Sequence, residues 1–262
     1  ASTQSLGCDL KDKFKINLFI AFPAAVFTIL VFFYLGLNSD IVTVAIAKSD
    51  FSWIAIVPYI LVIVLAVVGV NVFSTLLIGT LLAGIIGYFG GSFTLMEFTQ
   101  KIYEGFTSMT DIFLLSMLTG GLAAMVDKAG GITYLLVQIK KRIKSKKSAQ
   151  AGIGAIVGFA NLAIANNTVS IVITGPIAKE INDEYELNPK KTAAILDIFS
   201  CIIQGILPYG AQVLLILSYA NGKLDFFDLI SNAWYHLFLL VFTLVAIYSS
   251  FWDKWTKRFF KI

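Results

Sequence analysis

Long apolar runs separated by short polar stretches set the pattern of this chain. Charged residues are absent from Ile16 to Ser39, Phe51 to Met96, Ser148 to Ala178, Ile198 to Gly222 and Leu229 to Trp252. Each run reaches the roughly 20 residues that a helix needs to cross a bilayer. In hydrocarbon the backbone has to satisfy its own hydrogen bonds, so runs of this length predict helices. The run from Phe51 to Met96 is too long for one span. It predicts two helices turning near Gly69-Val70-Asn71, the second closed by Ser92-Phe93-Thr94. From Ser92 to Phe106, apolar Phe93, Met96, Phe98, Ile102, Tyr103 and Phe106 are mixed at helical spacing with Glu97, Lys101 and Glu104, the pattern of a helix lying in the interface. Ser108 to Val126 predicts a further crossing that ends at Gly130-Gly131, and Ile132 to Lys147 an amphipathic basic helix.

Composition agrees with the pattern. The chain is 58% hydrophobic and 14% charged, against roughly 25% charged in soluble domains, and its mean hydropathy is +0.83. The fold class expected is therefore all-α, a polytopic membrane protein with about six transmembrane helices. No phosphate-binding glycine motif, nucleophile elbow or HExxH motif occurs, so neither enzyme chemistry nor a cofactor is expected. The basic residues sit in loops between apolar runs, where a lipid bilayer rather than nucleic acid is the partner. Cys8 and Cys201 form neither a disulfide framework nor a metal-ligand spacing.

Net charge is +4, and its distribution sets the topology, because Lys and Arg concentrate in cytoplasmic loops. Lys140, Lys141, Arg142, Lys144, Lys146 and Lys147 form one cluster; Lys254, Lys257, Arg258 and Lys261 form another. Both belong inside, which makes the protein a multi-pass cell-membrane protein with a cytoplasmic C-terminus. Lys11, Lys13 and Lys15 flank the first span and put its start inside, with the loop from Asn38 to Asp50 outside. The first residue is not Met and no signal-peptide pattern follows it, so a piece of a larger protein is expected.

Ser148 to Ala178 is long enough for one tilted helix of ~46 Å or for a hairpin with two arms of ~22 Å. It leaves a basic loop and ends before Lys179, Lys190 and Lys191, so a hairpin returning to the same side fits the positive-inside rule better. Asn166-Asn167-Thr168 is then the tip of a re-entrant hairpin over 148–182, and 192–220 is a discontinuous crossing helix broken at Pro208-Tyr209-Gly210. If the first segment crosses instead, Lys190 and Lys191 lie outside and 192–220 becomes the hairpin.

Polar groups at membrane depth are expensive and mark ion pathways. Asp197 is followed three and seven residues on by Ser200 and Gln204, and Asn167 in the same way by Ser170 and Thr174. The two spacings predict two oxygen-bearing stripes able to face each other. Proline at 208 removes a backbone donor, and glycine at 210 relieves the chain, which frees carbonyls. Hydroxyls, amides, freed carbonyls and one carboxylate suit a small monovalent cation such as sodium. The candidate ligands are Asn166, Asn167, Thr168, Asp197, Ser200, Pro208 and Gly210. Asp197 alone among them also accepts a proton, so sodium and a proton compete there. The plainer roles are interhelical hydrogen bonding and, for Asn166, a helix cap.

The stretches Ala165-Asn166-Asn167-Thr168 with Ile173-Thr174-Gly175-Pro176-Ile177-Ala178-Lys179, and Leu196-Asp197-Ile198-Phe199-Ser200-Cys201 with Gln204-Gly205 and Pro208-Tyr209-Gly210-Ala211-Gln212, resemble the NhaC family of Na+/H+ antiporters within the ion transporter superfamily. The chain looks like the C-terminal half of such a protein. The resemblance implies one half of an inverted-repeat transporter, with a hairpin tip at 166–168 meeting an unwound segment at 208–212. It implies a secondary active transporter exchanging sodium for protons, and a homodimer or an association with the missing N-terminal half. Family members that exchange organic acids, such as malate for lactate, are the alternative. The only arginines, Arg142 and Arg258, lie in basic loops, which favours the inorganic cation.

Overall fold

The computed structural model describes residues 2–38, 53–68, 70–220 and 222–249. Most of the predicted outer loop, the turn residue Gly69 and the C-terminal basic cluster lie outside the described residues. Those described form helices and their connections. In chain order the helices are α1 (Ser2–Leu6), α2 (Leu10–Leu37), α3 (Val57–Val68, after a 3-10 turn at Trp53–Ile56), α4 (Val72–Phe89), α5 (Leu95–Ser108), α6 (Thr110–Lys128) and α7 (Gly131–Lys140). They continue with α8 (Lys146–Ile164), α9 (Asn167–Glu184), α10 (Pro189–Ile206), α11 (Ala211–Tyr219), α12 (Phe226–Ser231) and α13 (Trp234–Tyr248). Leu10–Leu37, Val72–Phe89, Leu95–Val126 and Pro189–Tyr219 are long and apolar enough to cross a membrane, and Trp53–Ala66 and Trp234–Tyr248 are shorter apolar helices. The chain is an all-α polytopic membrane protein.

Asparagines set several of the boundaries inside apolar sequence. Asn71, Asn166 and Asn188 each cap the helix that follows, their side chains accepting from the backbone N–H of Phe73, Val169 and Lys190. Each satisfies a donor that the first turn would otherwise leave unpaired. A reciprocal cap between Ser145 and Ser148 starts α8. The expected basic helix over 132–147 is therefore divided. Helix α7 stops at Lys140, and α8 begins at Lys146, because Ser145 is extended and serves as a cap rather than a helical residue.

The chain forms two compact units, one of residues 40–111 and one of 1–39 with 112–262. In the smaller, α3 and α4 pack as a pair, and the parallel rings of Phe93 and Phe98 stack at 5.7 Å. Those rings lie against Gly87 and Gly84, where a side chain on α4 would collide with them.

In the larger unit α10 is the central helix. Residues 191–196 are all buried, and successive faces of the helix enter two cores. Ala193, Ile195 and Leu196 pack with Ile153, Ile156 and Val157 of α8 and Ile171, Ala178 and Ile181 of α9. Ala194, Ile198 and Ile202 pack with Ile16, Ile20 and Ala24 of α2 and Leu239 and Ala246 of α13. A helix with apolar residues on two faces has to be covered on both.

Specific contacts fix the directions. Lys190 meets Asp12 and, two turns on, Asp197 meets Asn17, so α2 runs parallel to α10. Buried Lys191 donates to the Ala246 carbonyl at 2.7 Å, while the His236 ring packs on Gly205, so α13 runs antiparallel. Lys147 donates to the Tyr248 carbonyl at 2.7 Å, and Lys140 pairs with Glu180 at 2.6 Å. The start of α8, the ends of α9 and α13 and the starts of α2 and α10 thus share one basic end. The α8–α9 turn lies ~28 Å along α8 from that end.

Candidate ion site

Lys190, Asp197, Cys201 and Gln204 form a single stripe on α10, lying within about 60° of one another at roughly 100° per residue. The stripe begins at the basic end, where Lys190 Nζ lies 2.6 Å from Asp12 Oδ2. About 10 Å further along, Asp197 Oδ2 accepts from Lys13 Nζ at 2.9 Å and from Asn17 Nδ2 at 2.8 Å. The side chains of Lys13 and Asp197 are 13% and 27% exposed, which makes this a half-buried ion pair in the seam between α2 and α10. One turn on, Cys201 Sγ accepts from Asn167 Nδ2 at 3.2 Å. Gln204 Oε1 accepts from the Asn167 backbone N–H at 2.7 Å.

The tip that reaches this stripe is shaped by two residues. Ala165 has φ 52°, in the left-handed region, and its N–H donates to the Asn161 carbonyl at 2.8 Å. Asn166 is extended and caps α9. The reversal is held from within by Asn161, which is fully buried. Its Nδ2 donates to the Ser200 carbonyl at 2.7 Å and to Ser200 Oγ at 3.1 Å, and its Oδ1 accepts from Ser170 Oγ at 3.4 Å. An alanine in the left-handed region costs about 1–2 kcal/mol, and glycine does not pay it. Ala165→Gly is therefore expected to stabilise the protein by about 0.5 kcal/mol, net of the added freedom of the unfolded chain, read as a raised unfolding midpoint in detergent.

The break after α10 lies against the same tip. Leu207 and Gly210 are extended, Gly210 N–H donates to the Leu207 carbonyl at 2.9 Å, and Tyr209 Oη donates to the Leu162 carbonyl of α8. A Cβ on Gly210 would stand 2.9 Å from the Gln204 carbonyl, so the turn closes over the end of α10 only because residue 210 has none.

Of the residues singled out in the sequence, Asp197 lies on the seam, and Asn167 meets Cys201 one turn of α10 further on. Asn166 is an exposed cap and Thr168 is exposed. Ser200 follows Asp197 by three residues, and its side chain turns into the α8–α9 interior toward Asn161. Pro208 is exposed in the break and Gly210 is buried there. Ser170 and Thr174 are buried, the Thr174 hydroxyl donating back to the Ser170 carbonyl. His236 sits by Gly205, ~12 Å along α10 from Asp197.

Lys13, Asn17 and Asn161 were not among the candidates, although each carried a signal. Lys13 and Asn17 continue the helical stripe of the buried Ile16, Ile20 and Ala24, and Asn161 continues that of Ile153 and Val157. A polar residue on an inward stripe needs a partner on the facing helix.

The site is rich in oxygen. Asn17 Oδ1 and Asn167 Oδ1 are buried without a hydrogen-bond partner. No group of three or more His, Cys, Asp or Glu able to hold a metal occurs among the described residues. One carboxylate with neutral amide oxygens carries less charge than the carboxylate-rich sites that divalent calcium takes.

Comparison with known proteins gives the same direction. The sequence pattern of the Na+/H+ antiporter family matches residues 4–253. The chain is 25% identical over 222 residues to the Na(+)/H(+) antiporter NhaC of Bacillus subtilis (strain 168), an alignment covering 72% of this chain and 49% of that protein. The chain thus spans about half the length of this relative. No solved structure matches it.

Proposed function

The chain belongs to the Na+/H+ antiporter family, and on that premise we propose that it is a C-terminal transport domain of a cell-membrane antiporter in which sodium and a proton compete for the Asp197 carboxylate. Residues 148–182 act as a re-entrant hairpin entering from the cytoplasmic side, and 192–220 as the discontinuous helix facing its tip. The C-terminus is cytoplasmic. The domain works as a homodimer or together with the half that the chain does not span.

The observation that carries the proposal is the place of Asp197. It is a carboxylate inside an apolar seam, one turn from Cys201 and two from Gln204, which hold the first residue of α9. A charge in that position is costly unless it is compensated, so an occupant that neutralises it is part of the resting protein. An occupant exchanged for sodium on one side of the membrane and recovered on the other produces antiport.

Proteoliposomes containing the protein and an internal pH dye test this. A sodium gradient is expected to drive proton movement, and a malate or lactate gradient without sodium is expected to drive none. A pH response that follows malate or lactate and ignores sodium would replace cation antiport by organic-acid exchange.

A further inference from the structure

The smaller unit carries an apolar groove with a single charge on its rim. Helix α5 meets the end of α4 through the stacked rings of Phe93 and Phe98, which fill the notches at Gly87 and Gly84. Past that stack a groove of about 500 Å³ lies between the two helices, with Thr80 and Ala83 on the α4 side and Lys101, Ile102, Gly105 and Met109 on the α5 side. Its volume falls in the ~300–1,000 Å³ range of ligand sites. Lys101 is the only charged residue lining it. At about 100° per residue Lys101 stands at the edge of the apolar stripe of α5, and Glu97 and Glu104 lie on its far side, away from the groove. A lysine so placed lays its stem along apolar surface and keeps its ammonium at the polar rim. Both carboxylates are engaged elsewhere. Glu97 Oε2 accepts from the Thr94 N–H at 2.7 Å and from its hydroxyl at 3.1 Å, and Glu104 Oε1 accepts from Gln100 Nε2 at 2.9 Å. Glu97 lies within Coulomb reach of Lys101, but Lys101 makes no ion pair or hydrogen bond among the described residues.

We propose that this groove is a binding site for an anionic phospholipid, with one acyl tail along Thr80 and Ala83 and the phosphate on Lys101 Nζ. The two helices set the parts at matching depths. Helix α4 is long and apolar enough to cross a membrane, so its C-cap Gly90 marks an interface. Thr80 lies ~15 Å along α4 from Gly90, half the ~30 Å of a hydrocarbon core. The amphipathic pattern of α5 keeps Lys101 at headgroup level. A tail then fills space that the unit's own side chains leave open. Apolar walls do not choose their occupant inside a bilayer, because lipid tails are as apolar as the protein surface. The choice comes from charge. One lysine at the surface favours an anionic headgroup by about fivefold, whereas a zwitterionic headgroup brings a cation of its own to the phosphate and gains less from Lys101.

The test uses the purified protein in mild detergent with a trace of phosphatidylglycerol carrying a photoreactive diazirine in its tail. After irradiation the labelled peptides are located by mass spectrometry. Labelling is expected within residues 72–109, displaced by unlabelled phosphatidylglycerol at about fivefold lower concentration than by phosphatidylcholine. Lys101→Gln is expected to bring the two competitors to the same concentration, and Lys101→Arg, which keeps the charge, to retain the difference. Ala83→Phe fills the groove and should abolish displaceable labelling there whichever headgroup competes. Lys223→Gln removes an exposed cation from the larger unit and should change nothing. Equal displacement by both lipids in the unaltered protein, a preference that survives Lys101→Gln, or labelling untouched by Ala83→Phe overturns the proposal. So does an absence of displaceable labelling at 72–109, which would assign the groove to a protein partner or a second copy of the chain.

Discussion

Replacing Asn161 by leucine is expected to loosen the α8–α9 turn from α10 and to destabilise the protein by about 2 kcal/mol. The side chain is fully buried and makes three hydrogen bonds, two to Ser200 and one from Ser170. Leucine has a similar volume, so the packing term is small and the loss is mainly that of the bonds. Interhelical bonds in membrane proteins average about 0.6 kcal/mol each, because the unfolded chain finds other partners. Three of them give the figure, and the Ser200 carbonyl and hydroxyl left without their Asn161 donor do not lower it. The measurement is denaturant or thermal unfolding in detergent. The functional consequence is larger than the energy, because Asn161 holds the turn that presents Asn167 to Cys201 and Gln204. Sodium affinity should fall in Asn161→Leu even at temperatures where the protein is fully folded. Alanine at the same place adds a cavity and should cost more.

The two helix breaks lie where polar residues interrupt apolar sequence. Asn166 follows a long apolar arm, and Pro208 with Gly210 stops a helix that nothing else would stop, and local chemistry of this kind is legible in one sequence because the partner groups are neighbours. The partner of Asp197 was not legible in the same way. Lys13 and Asn17 lie 184 and 180 residues from it, and no local spacing says which helix α10 will lie beside. Lys13 was read with Lys11 and Lys15 as the solvated flank of a span beginning at Ile16. Helix α2 in fact starts at Leu10, which turns Lys13 inward with Ile16 and Ile20. Ser200 and Asp197 meet different helices for a geometric reason. A spacing of three residues gives neighbours on a helix surface but also a 60° turn, and with helices packed on two sides of α10 that turn assigns the residues to different neighbours. Buried Asn161 escaped notice because a single amide in a run of Ile, Val, Gly and Ala resembles any other tolerated polar residue.

Asp197→Asn is the substitution with the largest expected effect on transport. Asparagine keeps the shape of the side chain and an oxygen that can still accept from Lys13, but it carries no charge. Sodium then loses the one anionic ligand of the seam, and the Lys13 ammonium becomes a half-buried charge without a counterion, costly in itself. Both halves of the exchange fail together: no cation is attracted, and no carboxylate is left to take the competing proton. Exchange should drop by roughly 100-fold or more, equivalent to about 2.7 kcal/mol at ~1.4 kcal/mol per tenfold. The helical fold should persist, because the Lys190–Asp12 pair and both cores around α10 are untouched. The most direct test is therefore sodium-driven proton movement in proteoliposomes, with the unaltered protein and Asp197→Asn reconstituted side by side at matched density and followed with an internal pH dye. Rapid sodium-dependent pH change in the first and none in the second is the predicted result; exchange of equal rate in both would contradict the account.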